Sequence, residues 1–219
     1  MIRLAVFDCD GTLVDSQANI CLAVEEAFSL AGLEPPLRND IRRIVGLSLV
    51  EAMRHLLPDA DDAFHRTLAE NYKATFFRLR SAGSMASEPL YEGMTEVLDS
   101  LAQGGWRCGV ATGKSDRGLI HVLTQHGILD RFVTLQTADR HPSKPHPSML
   151  EKAMEEAGAN PAATVMIGDT SFDMAMARAA GTRAVGVAWG YHPPAELIEA
   201  GADVIVNQVR ALPAELEAR

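Results

Sequence analysis

Residues 4–12 read LAVFDCDGT, an apolar run that ends in two aspartates and a glycine. Four consecutive apolar residues before a turn signal are typical of a buried β-strand. Because alternate residues of an extended chain point to the same side, we expect Asp8 and Asp10 to face one way, with Cys9 turned into the core. Gly11 permits the sharp turn that follows. The stretch therefore predicts a strand that brings two carboxylates together at its carboxyl end.

The second half of the chain alternates short apolar runs with helical stretches. This alternation is typical of a parallel sheet covered by helices on both faces. The predicted strands are 4–7, 107–111, 132–136, 164–167 and 183–187, with a weaker one at 203–206. The predicted helices are 93–103, 115–126, 147–157, 172–180 and 194–200. We expect a doubly wound, mainly parallel, Rossmann-like α/β sheet with its ligand site beyond the carboxyl ends of the strands.

Residues 16–88 follow a different pattern, because no strand-like run occurs and glycines and prolines separate stretches with helical spacing. We expect an α-helical cap domain at 16–88, inserted into an α/β core formed by 1–15 and 89–219. The chain leaves the core just after the first strand and returns near Pro89, so the two crossings could act as hinges. A helical decoration that does not move is the simpler alternative.

Composition and charge narrow the class of protein. The 219 residues are 47% hydrophobic and 22% charged, as in an ordinary folded protein. Twenty basic against 29 acidic residues give a net charge of -9, which argues against binding to nucleic acid. Apolar runs are too short for a signal peptide or membrane span, and three cysteines without a CxxC pair suit a reducing compartment. We expect a cytoplasmic monomer or homodimer with no membrane association.

A second acidic motif, GDTSFD at 168–173, follows another apolar strand. Asp169 is therefore expected to join Asp8 and Asp10 at the same edge of the sheet. Carboxylates that lie close together repel each other, and Mg²⁺ both offsets that repulsion and prefers oxygen ligands. Asp173 lies in the first turn of the next helix, where it could cap the helix, orient a metal ligand, or do both.

Two further motifs carry groups that suit a phosphate. The sequence ATGKS at 111–115 closes a strand and opens a helix, so Thr112 and the amides around Gly113 can cradle an anion. Lys144 stands in PSKPHP, where prolines hold the chain extended and make the lysine a fixed charge. Taken singly, an ordinary strand-to-helix turn and an exposed loop lysine are the simpler interpretations.

All four motifs, in this order, resemble those of the haloacid dehalogenase-like superfamily, in its phosphoglycolate phosphatase-like branch with a helical cap. The resemblance spans essentially the whole chain. The matching residues are Asp8-x-Asp10-Gly11-Thr12, Thr112, Lys144-Pro145, and Gly168-Asp169 with Asp173. It implies a Mg²⁺-dependent phosphatase, a phosphoric monoester hydrolase, acting on a small phosphorylated metabolite, with phosphoglycolate favoured.

The resemblance also implies residue roles. Asp8 would be the nucleophile that forms an aspartyl-phosphate, and Asp10 would be the acid for the leaving group and the base for water. The metal would be held by Asp8, the main-chain carbonyl of Asp10 and Asp169. The remaining catalytic, substrate-binding and second-sphere positions are Thr112, Gly113, Lys144 and Asp173.

Related reaction classes remain as alternatives. Relatives that cleave carbon-halogen bonds generally lack the second aspartate, so Asp10 argues against dehalogenation. In related phosphosugar mutases an arginine commonly follows a Gly-x-Ser turn of the cap, whereas here Gly46-Leu47-Ser48 is followed by Leu49, which favours hydrolysis. Gly46 is equally well explained as a substrate-facing residue or a helix terminus. A phosphoglucomutase-like isomerase, an inorganic pyrophosphatase and a catalytically silent metal-binding module stay open.

Overall fold

The computed structural model describes residues 2–218, which form a six-stranded parallel sheet flanked by helices. The strands are β1 (Arg3–Phe7), β2 (Trp106–Thr112), β3 (Phe132–Thr137), β4 (Thr164–Gly168), β5 (Arg183–Val187) and β6 (Val204–Val206). Their order in the sheet is β3-β2-β1-β4-β5-β6. The chain moves outward in one direction from β1 and in the other from β4. A crevice opens at such a reversal, at the carboxyl ends of the strands.

Ten α-helices lie within the described residues. They are α1 (Gln17–Leu30), α2 (Arg38–Arg43), α3 (Leu49–Leu56), α4 (Asp62–Ser81), α5 (Met94–Gln103), α6 (Asp116–Gln125), α7 (Ser148–Ala157), α8 (Ser171–Ala179), α9 (Pro194–Glu199) and α10 (Leu212–Glu217). None of the described helices is long and apolar enough to cross a membrane.

Different helices cover the two faces of the sheet. Ala5 and Phe7 belong to one apolar cluster with α5, α6 and α10, whereas Leu4 and Val6 belong to a second cluster with α7, α8 and α9. This division follows from the alternation of side chains along an extended backbone. Cys9 is buried in the first cluster, which confirms that its side chain points into the core.

Residues 16–88 are helical and supply the buried residues of one apolar cluster. Within this fully described range the chain forms α1 to α4 and no strand. Phe28, Ile41 and Leu68 are buried in an apolar cluster separate from those of the sheet. Where the chain leaves and re-enters the sheet region, the amide of Asp15 donates to the carbonyl of Pro89 at 2.9 Å. The two crossings are therefore adjacent and hydrogen-bonded.

The predicted α/β fold is confirmed, with each predicted strand present and its ends shifted by no more than a few residues. The helix α10 lies outside the predicted helices. Its second residue is Pro213, which reads as a helix breaker in the sequence but is tolerated in a first turn, where its missing N–H would have no helical acceptor.

Candidate active site

Three buried carboxylates meet at the crevice between β1 and β4. Asp8 follows β1 directly and Asp169 follows β4, while Asp173 lies in the first turn of α8. Each of the three is fully buried, and one carboxylate oxygen from each lies within 4.8 Å of the others. The pairing of β1 with β4 in parallel register brings the two strand ends together. The topology thus brings Asp8 together with two carboxylates that lie far from it in the sequence.

Hydrogen bonds and close loop packing hold the Asp169 side chain. The hydroxyl of Thr12 donates to its Oδ1 at 2.7 Å, and the main-chain N–H of Tyr191 donates to its Oδ2 at 2.9 Å. A Cβ placed on Gly11 or Gly190 would collide with this carboxylate. Glycine at both positions therefore lets two loops close around Asp169 and fix its orientation.

Lys144 is buried between two members of the cluster. Its Nζ lies 2.9 Å from Oδ1 of Asp8 and 2.6 Å from Oδ1 of Asp173. The residue is only 1% exposed, so the interpretation of an exposed loop lysine is wrong. Burial lowers the pKa of Lys144, but the charges of Asp173 and Asp8 raise it above its ordinary value. The ammonium is therefore a fixed positive charge beside Asp8.

Asp173 caps its helix and contacts the site at the same time. The amide of Thr170 donates to its Oδ2 at 3.0 Å while its own amide donates to the Thr170 hydroxyl at 3.4 Å, which forms a capping box, and that hydroxyl also donates to Oδ2 at 2.7 Å. Its other oxygen accepts the hydrogen bond from Lys144. The geometry shows the capping contact predicted for Asp173, whereas its role in orienting a metal ligand stays a prediction. Thr170 was missed as a site residue, although its three-residue spacing from Asp173 is the signature of such a box.

The carboxylate cluster is short of positive charge. Burial raises the pKa of Asp8 to about 7 although Lys144 lowers it, and burial together with the charges of Asp8 and Asp173 holds that of Asp169 well above its usual range. Oδ2 of Asp8 is buried and has no hydrogen-bond partner among the described residues. Closely spaced carboxylate oxygens are the ligands that hard divalent cations prefer. A divalent cation therefore fits the cluster in both charge and donor type.

The Asp10 carboxylate lies outside this cluster and has partners of its own. Its Oδ1 accepts hydrogen bonds from the hydroxyl of Ser16 and from the ammonium of Lys114, whose Nζ is 2.8 Å away. Burial lowers the pKa of Lys114, but the charge of Asp10 raises it above its ordinary value. Sequence reasoning missed Lys114 and Ser16, although Lys114 directly follows the predicted phosphate cradle at Gly113.

The remaining predicted positions lie around the same opening. Thr112 is the last residue of β2, the strand next to β1. Its hydroxyl accepts a hydrogen bond from the amide of Lys114 at 3.2 Å. A Cβ on Gly113 would lie 2.7 Å from the carbonyl oxygen of Gly46, so the turn at Gly46 rests directly on this loop. Gly46 has a φ of +98°, and a Cβ there would lie 3.8 Å from Oδ2 of Asp8. The turn of the helical segment thus lies over Asp8.

Comparison with known proteins agrees with this geometry. A family model described as haloacid dehalogenase-like hydrolase matches residues 5–187. The chain is 35% identical over 210 residues to a "probable phosphatase IndB" from Dickeya dadantii, covering 94% of this chain and 90% of that protein. It is 30% identical over 218 residues to a phosphoglycolate phosphatase from Agrobacterium fabrum, covering 95% of this chain and 90% of the relative.

Solved structures share the whole fold. A hydrolase from Pseudomonas syringae superposes with a TM-score of 0.84 at 25% identity, over 99% of this chain and 98% of that one. A β-phosphoglucomutase from Clostridium difficile superposes with a TM-score of 0.81 over 97% of this chain and 93% of that one. At 20% identity, this similarity shows a shared fold and nothing about function. With a family model that spans most of the sequence and a phosphatase relative of similar length, the chain belongs to the haloacid dehalogenase-like hydrolase family, as a phosphoglycolate phosphatase-like enzyme.

Proposed function

We propose that the protein hydrolyses a small organic phosphate monoester through an aspartyl-phosphate on Asp8, with Mg²⁺ as its metal cofactor. The observation that carries the proposal is the buried contact between Lys144 and Asp8, on a carboxylate whose second oxygen has no partner among residues 2–218. A carboxylate oxygen beside a fixed positive charge is suited to attack a phosphoryl group, because that charge offsets the repulsion between two anions.

In the first step an oxygen of Asp8 forms a bond to phosphorus as the bond from phosphorus to the ester oxygen breaks. The leaving oxygen takes a proton from the carboxyl group of Asp10. In the second step water attacks the phosphorus of the aspartyl-phosphate as the bond from phosphorus to the Asp8 oxygen breaks, which frees the Asp8 carboxylate and inorganic phosphate. The Asp10 carboxylate accepts the proton that the water releases. The contacts of Asp10 with Ser16 and Lys114 support this assignment, since they fix the carboxyl group for both transfers.

Haloacid dehalogenase-like hydrolases generally use a divalent metal ion. We assign its ligands as Asp8, the main-chain carbonyl of Asp10, and Asp169; Mg²⁺ is the preferred ion because every donor is an oxygen. When bound, the ion supplies positive charge beside the transferring phosphoryl group. Asp173 stays behind these ligands and positions the ammonium of Lys144, from which its Oδ1 is 2.6 Å distant.

Lys144, Thr112 and the amides around Gly113 are proposed to bind the phosphoryl oxygens. They meet the site from two loops that the sheet holds in place, so little reorganisation is needed when charge develops in the transition state. We assign residues 16–88 as a cap that contacts the organic part of the substrate, and 1–15 with 89–219 as the core. The separate apolar cluster of the helices and the adjacent crossings support this division.

Three buried free thiols, at Cys9, Cys21 and Cys108, support the proposal that the protein works in a reducing cytoplasm. Its partner there would be a small phosphorylated metabolite. We propose a monomer or homodimer, because one chain supplies every group that the mechanism uses.

A screen of phosphorylated metabolites with Mg²⁺, read out as released inorganic phosphate, tests the proposed function. The name of the Agrobacterium relative makes phosphoglycolate the first compound to include, beside sugar phosphates and pyrophosphate. We expect phosphate release from at least one monoester. A rearranged sugar phosphate without free phosphate would instead indicate a mutase, and release from pyrophosphate alone would indicate a pyrophosphatase.

Replacing Lys144 by alanine should cost about 2–4 kcal/mol of transition-state stabilisation, which is roughly a 30- to 1,000-fold loss of rate seen mainly in kcat. The loss follows from removing the fixed charge beside Asp8. Lys144→Met keeps the apolar stem and separates loss of charge from loss of packing. Lys152→Ala, at a solvent-exposed ion pair on α7, is the matched control. Thermal unfolding should accompany each assay, and a Lys144→Ala rate within about threefold of wild type would remove Lys144 from the mechanism.

A further inference from the structure

A cavity of about 1000 Å³ opens from the site into the space between the helical segment and α6. Clefts that hold ligands of many atoms typically measure about 300–1,000 Å³. Most of the lining side chains are apolar. Among the larger ones are Met53, Tyr72, Phe76, Phe77 and Ile120. The volume far exceeds what the two-carbon leaving group of phosphoglycolate would fill.

One end of this cavity is continuous with the candidate active site. Asp10, Gly46, Gly113 and Lys114 all belong to its lining. Asp10 is the group proposed to protonate the leaving oxygen, so an ester whose phosphorus lies at Asp8 would extend its alcohol past Asp10. The alcohol would therefore enter the cavity.

The cavity is present while the helical segment is docked on the core. The amide of Ser48 donates to the hydroxyl of Ser143 at 2.8 Å, and Arg43 pairs with Glu196 at 3.0 Å. The turn at Gly46 already packs on the loop after β2. These contacts close the segment over Asp8, so the volume belongs to the docked arrangement.

The lysines and arginines along the cavity already have partners, which a second negative charge on the substrate would have to displace. Three already have carboxylate partners: Lys73 with Glu70 at 2.8 Å, Arg80 with Glu88 at 3.8 Å, and Lys114 with Asp10 at 2.8 Å. Arg117 stacks on the ring of Phe77 at the solvent-exposed rim, 4.5 Å from its centroid. A carboxylate one carbon away from the phosphate ester would reach Lys114 only in competition with Asp10.

We infer that the preferred substrate is a phosphate monoester of a bulky, predominantly apolar alcohol. The inference rests on the proposed phosphatase function and specifies its leaving group. Each methylene that moves from water into an apolar site contributes a transfer free energy equivalent to a three- to fourfold factor in binding. The apolar lining thus favours larger alcohols over glycolate when both carry the same phosphoryl group.

Unbranched monoalkyl phosphates from ethyl to octyl test this inference, because their leaving groups differ in size but hardly in reactivity. We expect kcat/KM to rise about three- to fourfold per added methylene until the cavity is filled, with phosphoglycolate below the longer esters. The concentrations should stay below those at which the esters form micelles. A flat or falling dependence on chain length, or phosphoglycolate as the best substrate, would overturn the inference.

A variant at the rim of the cavity tests whether the effect of chain length arises there. Phe77 is 52% exposed, so Phe77→Ala is expected to fold, and it should lower kcat/KM for octyl phosphate about fivefold more than for ethyl phosphate. Leu37→Ala is the matched control, since Leu37 is 74% exposed on the same helical segment but does not line the cavity. Equal losses for both esters in Phe77→Ala would place the apolar alcohol elsewhere.

Binding of alkylphosphonates, measured by calorimetry with Mg²⁺ present, separates this inference from the proposed function, since it requires no turnover. We expect Kd to fall with chain length by a similar factor and the heat capacity change to become more negative. Tighter binding without hydrolysis of any ester would overturn the phosphatase proposal and leave the cavity assignment standing. Hydrolysis with no chain-length effect on rate or Kd would overturn the cavity assignment alone.

Discussion

Asp8→Asn should lower turnover by at least about 10⁴-fold while the protein still folds. The amide of asparagine has almost the shape of the carboxylate, but it is not a nucleophile that can form an acyl-phosphate. The fold should survive because the change removes one negative charge from a group of crowded buried carboxylates. Lys144 also keeps its contact with Asp173. Phosphate release gives the rate, and thermal unfolding reports the fold.

The matched control for this variant is Asp15→Asn. Asp15 lies in the same loop, but it is exposed, and its carboxylate accepts a hydrogen bond from the nearby amide of Gln17. Its activity should match that of the wild type. Native rates from purified Asp8→Asn, with no contaminating phosphatase, would overturn the covalent mechanism.

Removing divalent cations should lower kcat/KM by at least about a thousandfold, and added Mg²⁺ should restore it. Without a divalent cation, Lys144 is the one cationic side chain within residues 2–218 that pairs with the buried carboxylates of Asp8, Asp169 and Asp173, and a phosphate dianion would add to the same excess of negative charge. The same chelator, saturated with Mg²⁺ before addition, is the control for effects of the chelator itself.

A second readout of the metal does not depend on turnover. A cation that binds the folded protein should raise Tm, by an amount that grows with its concentration. Asp169→Asn should weaken this dependence, because it removes one of the three clustered carboxylates. Full activity after exhaustive chelation, with no effect of Mg²⁺ on Tm, would contradict the metal assignment.

The sequence predicts the sheet and two members of the carboxylate cluster, Asp8 and Asp169, because both depend on short stretches, but it wrongly places the Asp10 carboxylate with them. The strand that ends at Asp8 and the strand that ends at Asp169 are each a run of apolar residues before a turn, and parallel strands bring their carboxyl ends to one edge. The position of Asp173 could be predicted because it lies in the first turn of α8, the helix directly after the strand that precedes Asp169. These positions could therefore be inferred from local pattern and topology alone.

The contacts that tune these acids depend on tertiary packing. Lys144 reaches Asp8 and Asp173 from a loop far from both in sequence, and its burial follows from how that loop packs. The same holds for Lys114 on Asp10, and for the cavity between the helical segment and α6. No periodicity or spacing in the sequence encodes such distances, so neither the charge balance nor the size of the leaving-group space could be predicted.

The most direct test of the covalent mechanism is an acid quench during turnover followed by peptide mapping with mass spectrometry. Wild type and Asp10→Asn are each mixed with Mg²⁺ and an ester that the wild-type protein hydrolyses. Asp8→Asn serves as the negative control. We predict one phosphoryl group on the peptide that contains Asp8 in the wild type and none in Asp8→Asn; Asp10→Asn should gain and lose this group more slowly, because Asp10 serves both steps. Release of phosphate in a single turnover with Asp8 unmodified in every quenched sample, or a phosphoryl group on another residue, would contradict the mechanism.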